Sequence, residues 1–265
     1  MAQATYHGCD TNYSPYSDPC VDYFYLGEMG MGTVSGDSTV VSDYYCTTWT
    51  NNGATGNTNT YAGDVITLNN SDNTYGYWFL IGPKFANEAS SQAQHNCGYG
   101  YLVTPVSTVD EAFSWGAAQA NAAAQAWGNY PNIKRSTIFG DVEAGSGAGW
   151  FTSADGVING SEWYAYNRAV IQGFVEQLVT ISFPSGGTFH AGIYISPSNY
   201  SSITNDMSFS GLTSHLWLAD WFDSLASECY PDWTPPSLGG VATQIWQYYS
   251  NQSSIDIDAA NTLPS

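Results

Sequence analysis

Basic residues are nearly missing from this chain. Lys84, Lys134, Arg135 and Arg168 stand against 23 Asp and Glu, which leaves a formal charge of −19 over 265 residues. The acidic count is ordinary; the imbalance comes from the missing cations. A polyphosphate would be repelled, so nucleic acid is not expected as a partner. An anionic membrane surface is disfavoured for the same reason. The charge reads as a device for solubility or as adaptation to an unusual medium. No apolar run is long enough to span a bilayer, so no membrane insertion is expected. No intact signal peptide is present, and the Met1-Ala2 start reads as a mature or expressed form. There is no C-x-x-C, and no Cys/His spacing suited to zinc. His7, His95, His190 and His215 form no i,i+4 ligand pair, and each reads as structural. A P-loop, a strand-linked G-x-G-x-x-G, a G-x-S-x-G elbow and a D-x-[DN]-x-[DN]-G calcium loop are all lacking. No cofactor and no metal is expected.

Aromatic residues, in contrast, are abundant: 20 Tyr, 11 Phe and 10 Trp, in a background of Ser, Thr, Asn and Gly. Ring faces stack on sugar C–H faces, and amides and hydroxyls bond to sugar hydroxyls. The composition therefore suits an extracellular, glycan-handling protein, although any single ring is more readily explained as core. Five cysteines are present, with Cys9–Cys20 and Cys46–Cys97 as the expected disulfides among several open pairings. N-x-[ST] triplets begin at Asn12, Asn69, Asn159, Asn199 and Asn251 and agree with secretion or display at the cell surface.

Short apolar runs read as strands at Ala4–Cys9, Tyr23–Leu26, Tyr77–Ile81, Tyr99–Val103, Thr137–Val142, Ala191–Ile195, His215–Ala219 and Thr243–Tyr248. Several are continuous enough to be buried on both faces. Asp110–Trp127 reads as an Ala-rich helix, with Ser107-Thr108-Val109-Asp110 as its capping box. Tyr164–Thr180 reads as a second helix, with Val170, Ile171, Phe174, Val175 and Leu178 at helical spacing. Strand–helix–strand alternation predicts an α/β fold with a parallel sheet. Eight strands in a chain of this length predict an irregular (β/α)8 TIM-type barrel. The expectation is a single domain over residues 1–265 with an elaborated, loop-rich N-terminal region, residues 27–75 being a probable inserted loop.

Active sites of such barrels gather at the C-terminal ends of the strands. Carboxylates are found there at Asp10, at Asp141 and Glu143, at Asp220, and at Asp256 and Asp258 beyond the last strand. Residues i and i+2 share one face of a strand, so Asp141 and Glu143 can share one pocket, with Cα atoms roughly 6.6 Å apart. Two close carboxylates resist ionising together. Glycosidic cleavage needs such a pair, one acid to protonate the leaving oxygen and one anion to stabilise or attack the sugar centre. The longer Glu143 is the better proton donor. Asp10 can equally be a helix cap or an Asx-turn, Asp220 and Asp258 can be turn acids, and the D-x-E itself can hold a loop or a hard metal. The segments Trp217–Phe222 and Ile245–Tyr249 offer rings to a sugar groove.

Five stretches together resemble one family: Cys9-Asp10-Thr11-Asn12-Tyr13, Ile138-Phe139-Gly140-Asp141-Val142-Glu143, Ala191-Gly192-Ile193-Tyr194-Ile195-Ser196-Pro197, Leu216-Trp217-Leu218-Ala219-Asp220-Trp221, and Ile245-Trp246-Gln247-Tyr248 with Ile255-Asp256-Ile257-Asp258. They look like the motifs, in order, of the glycoside hydrolase family 25 lysozymes and of the related glycoside-hydrolase-like domains of unknown activity. The resemblance implies an irregular barrel and cleavage of the muramic acid–glucosamine linkage of peptidoglycan. It implies Glu143 as the acid and Asp141 as the group that stabilises or positions the substrate's acetamido group. Asp10 and Asp220 would complete the catalytic set. Tyr194, Trp217, Trp246, Tyr248 and Asp258 are the expected substrate contacts. A secreted glycoside hydrolase acting on cell-wall glycan is therefore the first expectation. A non-catalytic extracellular or surface protein that self-assembles on the same barrel, and a glycan-binding module, are the alternatives.

Overall fold

A computed structural model describes residues 3–11, 24–31, 57–58, 74–84, 106–128, 134–144, 148–222, 231–250 and 256–264. Strand β5 (Thr137–Val142) shows how the sheet is built, since all six of its residues are buried. Ile138 and Val142 pack into the large apolar cluster shared with the helices, while Phe139 joins a separate cluster on the opposite face. A strand with apolar partners on both sides needs a continuous apolar run, which is how this segment reads.

The other strands are β1 (Tyr6–Thr11), β2 (Phe24–Met31), β3 (Asn57–Thr58), β4 (Thr74–Phe79), β6 (Val157–Ile158), β7 (Ser161–Glu162), β8 (His190–Ile195), β9 (His215–Ala219), β10 (Thr243–Ser250) and β11 (Asp256–Ala260). The main sheet runs β1-β11-β10-β9-β8-β5-β4-β2-β3, and β1 also pairs with β2, so the sheet curls until its two flanks meet. Strands β1, β2, β4, β5, β8, β9 and β10 run parallel to their neighbours in that set. Strand β11 is antiparallel to both β10 and β1. β6 and β7 form a separate hairpin.

The structure is thus a mixed α/β fold on a curled sheet. β11 was not foreseen as a strand, because Asp256 and Asp258 read as acids trailing β10; here they lie within a paired strand. The expected strand Tyr99–Val103 lies outside the described residues. β2 runs on to Met31, inside the region read as an inserted loop, and the short β3 pairs with it. The described residues include Cys9, which is buried, and neither Cys20, Cys46, Cys97 nor Cys229, so both expected disulfides fall outside them.

Helices α1 (Val109–Gly128), α2 (Trp163–Leu178) and α3 (Pro197–Thr204) cover the outer face. The cap of α1 sits one residue later than the sequence pattern placed it. Thr108 Oγ1 accepts from Glu111 N, and the Glu111 carboxylate accepts from the backbone and hydroxyl of Ser107 and the backbone of Thr108. That is a Thr-x-x-Glu capping box, and the Ser107 and Thr108 donors hold the Glu111 carboxyl below its ordinary range. α1 and α2 meet backbone to backbone. A Cβ on Gly116 would collide with the carbonyl of Val170, and one on Gly173 with that of Phe113. α3 was not foreseen, although Ser196 caps it through Asn199 N and Pro197 occupies its first turn.

Inside the curl, Tyr75, Tyr77, Phe139, Tyr194, Trp217, Ala219, Ile245 and Ala260 form one buried cluster. Gly192 is the position that lets the Phe139 ring lie across this space, since any Cβ there would overlap it. At the end where β4 begins, the Tyr75 hydroxyl donates to Pro264 O at 2.8 Å and Arg135 donates to the same oxygen at 3.2 Å. The opposite end of the curl carries the acids.

Candidate active site

Strand alternation decides which side chains reach this end. On β1, Asp10 points inward two residues after Gly8, which pairs with Asp258; Asp10 itself pairs with Asp256. β11 runs the other way, so its early residues Asp256 and Asp258 lie at the same end as the late residues of β1. On β10, Gln247 pairs with Asp258, next to a bulge between Gln247 and Tyr249. On β5 and β8, Asp141 pairs with Tyr194, and Tyr194 in turn pairs with Trp217 on β9. Five acids from three elements thus surround one phenol and one amide.

The site has depth. Asp258 is fully buried, Asp141 and Asp10 nearly so, and Glu143 and Asp256 are half-buried toward the mouth. Asp258 Oδ1 accepts from Trp217 Nε1 at 2.8 Å. The Trp217 ring lies 4.3 Å from that of Tyr194, 5.5 Å from Tyr77 and 5.7 Å from Phe139, so it is a packed floor beneath the acids. Gln247 Nε2 donates to Asp10 Oδ2 at 2.6 Å and faces Asp256 Oδ2 at 3.4 Å. Gln247 Oε1 accepts from Trp221 Nε1 at 2.7 Å and lies 2.9 Å from the Tyr194 hydroxyl. That hydroxyl also lies 3.1 Å from Glu143 Oε1.

Electrostatics follow from burial. Lys84 is engaged with Asp155 at 3.0 Å, Arg168 with the carbonyls of Thr204 and Asn205, and Arg135 with Pro264. Burial raises the Glu143 carboxyl above its ordinary range; the Tyr194 contact opposes this and the Asp256 charge adds to it. Burial likewise raises Asp10, helped by the charges of Asp258 and Asp256, and it raises Asp258 and Asp256 as well. Asp10 and Asp258 are both buried, and the charge of Asp258 further opposes ionisation of Asp10. Burial pushes the Tyr194 phenol well up, and the charges of Glu143, Asp141, Asp10 and Asp256 push it further, so it stays neutral.

Several sequence expectations are redirected by this geometry. Trp246 and Tyr248 point to the other face of β10, where they pack with Cys9, Ile257 and Ala259 and are 1% and 0% exposed. They cannot line a groove beside Gln247, because side chains alternate across a strand. Trp217 is 1% exposed and supports Asp258 instead of presenting a face to a sugar. Asp220 is tied to β10 through its backbone: its N–H donates to Gln247 O and its carbonyl accepts from Trp246 Nε1. Burial raises its carboxyl. From sequence, Gln247 stands out only within a motif, and Asp256 only among the strand-end acids without an assigned role. Their signal was available as period-two spacing, with Ile245 and Gln247 on one face of β10 and Asp256 and Asp258 on one face of β11. Trp221, 51% exposed, stands just past β9 at the mouth and contacts Gln247, whereas Phe222, 44% exposed, packs on Trp246 on the other face.

No family profile and no curated protein matches the sequence. Solved structures do match. A muramidase from Trichobolus zukalii aligns over 97% of this chain and 94% of its own, at 16% identity and a TM-score of 0.51. A muramidase from Acremonium alcalophilum aligns over 97% and 94%, at 17% identity and a TM-score of 0.50. A family GH25 lysozyme from Aspergillus fumigatus aligns over 98% and 95%, at 14% identity and a TM-score of 0.48. At these identities the likeness of the first two is one of fold, and it agrees with the resemblance carried by the sequence motifs.

Proposed function

We propose that this protein is a secreted glycoside hydrolase that cleaves cell-wall glycan in the manner of an N-acetylmuramidase. The observation that carries this reading is the half-buried Glu143 beside Tyr194, with Asp141 two residues earlier on the same face of the strand. A glycosidic acid must hold its proton near neutral pH while facing a substrate, and this environment favours the protonated form.

In this reading Glu143 donates its proton to the glycosidic oxygen as the C–O bond breaks. Asp141, as the carboxylate, stabilises the positive charge that develops at the sugar centre or orients the substrate's acetamido group. Water completes the reaction and a proton returns to Glu143. Burial favours the protonated forms of Asp10 and Asp258, which limits the negative charge beneath the site. Trp221 offers an exposed face on which a sugar stacks at the mouth. The curled sheet is read as an irregular (β/α)8-type barrel within one domain, with the residues between β2 and β4 as an elaboration. Among the described residues no helix is long and apolar enough to cross a membrane.

Clearing of a peptidoglycan suspension tests the reading. The chain clears it and Glu143→Gln slows clearing by roughly 10²–10⁴-fold, the usual range for loss of a general acid. Equal clearing by both proteins, or binding of glycan with no cleavage by the unaltered chain, overturns the reading in favour of a glycan-binding or assembly role.

A further inference from the structure

The hydrogen inventory around Tyr194 does not balance unless Glu143 contributes a hydrogen. Trp221 Nε1 can only donate, and it points at one end of the Gln247 amide at 2.7 Å. That end must be the carbonyl. The other end meets Asp10 Oδ2 at 2.6 Å, as an amide NH2 should. The orientation of the amide is therefore set by its partners on both sides. The Gln247 carbonyl accepts only, so its 2.9 Å contact with the Tyr194 oxygen is filled by the phenol's single hydrogen. Nothing then remains for Tyr194 to donate to Glu143 at 3.1 Å. The contact is satisfied when Glu143 is a carboxylic acid donating to the phenol oxygen. If Glu143 ionises, the phenol hydrogen must turn toward it, and the oxygens of Tyr194 and Gln247 face each other with no hydrogen between them.

We propose that Gln247 is a positioning residue that keeps the proton on Glu143, acting through Tyr194 by holding the phenol's hydrogen. The inference rests on Glu143 serving as the acid of the proposed reaction. Gln247 does not touch the reacting bond; its carbonyl makes ionisation of Glu143 cost a hydrogen bond. The groups facing this chain are Asp141 on β5, Tyr194 on β8, Asp10 on β1, and Asp256 and Asp258 on β11. Gln247 Nε2 also faces Asp256, whose charge raises Glu143, at 3.4 Å. A shift carried through Asp256 does not require the Tyr194 hydroxyl, whereas the proposed route does.

Carboxyl ¹³C NMR titration of Glu143 in the substrate-free protein separates them. In Gln247→Met, a change that preserves length, the freed phenol donates to the Glu143 carboxylate and the midpoint moves to lower pH. The alkaline limb of the pH–rate profile moves down with it. In a Tyr194→Phe background the same Gln247 substitution leaves the Glu143 midpoint where Tyr194→Phe alone puts it. An unmoved midpoint in Gln247→Met, or an equal shift with and without the Tyr194 hydroxyl, overturns the proposal. Should Gln247→Met fail to fold, the unaltered protein still decides: the ¹³Cζ resonance of Tyr194 shifts with the same midpoint as Glu143, and a flat resonance overturns the proposal. Because these readouts need no substrate, a chain that shows the coupling yet cleaves no glycan refutes the enzymatic reading alone. A chain that cleaves glycan without the coupling refutes this proposal alone.

Discussion

Asp10 and Asp258 set the charge of the site's floor, since burial raises both carboxyls and the charge of Asp258 raises Asp10 further. The raised folded values of Asp10, Asp256, Asp258 and Glu143 mean that the fold binds protons which the unfolded chain releases. Their contribution to stability is therefore full below the ordinary carboxylate range near pH 4 and is lost as pH rises through the folded values. Thermal unfolding followed by circular dichroism should show a melting temperature that falls from mildly acidic toward neutral pH. Asp258→Asn keeps the acceptor for Trp217 and removes a buried carboxyl whose charge opposes ionisation of Asp10. It should raise the melting temperature at neutral pH by a few degrees and flatten that fall. A steeper pH dependence in this variant would contradict burial of Asp258 as a source of the fall. Legibility at this scale was uneven. Asp141 and Glu143 were readable because both lie on one short run, and period two alone places them together. Gln247 was not, and Asp256 was legible only as an acid trailing β10, because their places come from the register between β10, β11 and β1, and no local pattern states a register.

At the scale of elements, α1 and α2 press their backbones together through Gly116 and Gly173, and α2 packs behind β5, the strand that carries Asp141. Gly116→Ala should destabilise the fold by about 1–3 kcal/mol, because overpacking against a backbone carbonyl outweighs the helix propensity gained. Gly128→Ala, whose Cβ would meet only Pro184 at 3.6 Å, should be neutral or mildly stabilising. Denaturant midpoints compare the two, and equal midpoints would show that the helix pair gives way easily. The helices themselves were legible to within two residues, because apolar spacing and a polar first turn are local signals. β11 was not, since its Asp residues alternate with Ile257 and Ala259 in a segment too polar to read as a strand. Its acids are tolerated there because Trp217 and Gln247 meet them and burial favours their protonated forms. Trp246 and Tyr248 were misplaced for a related reason: a ring near a strand's end looks the same from sequence whether it faces the acids or the core behind them.

For the whole molecule, scarcity of basic residues and activity are linked. Lys84, Arg135 and Arg168 are engaged with Asp155, Pro264 and the Thr204 and Asn205 carbonyls, and burial of the acid cluster favours retained protons. Catalysis by a protonated Glu143 should therefore fall as pH rises through its raised value, and a kcat/KM profile should show its alkaline limb above the ordinary glutamate range. An alkaline limb at or below that range would place the acid elsewhere. The most direct measurement is identification of the products that the chain and its Glu143→Gln variant release from purified peptidoglycan, by chromatography with mass spectrometry. The unaltered chain should release fragments ending in a reducing muramic acid, and Glu143→Gln, equally folded, should release them at least about a hundredfold more slowly. Identical products at identical rates from both, or none from the unaltered chain, would contradict the assignment of Glu143 as the acid of a muramidase-like hydrolase.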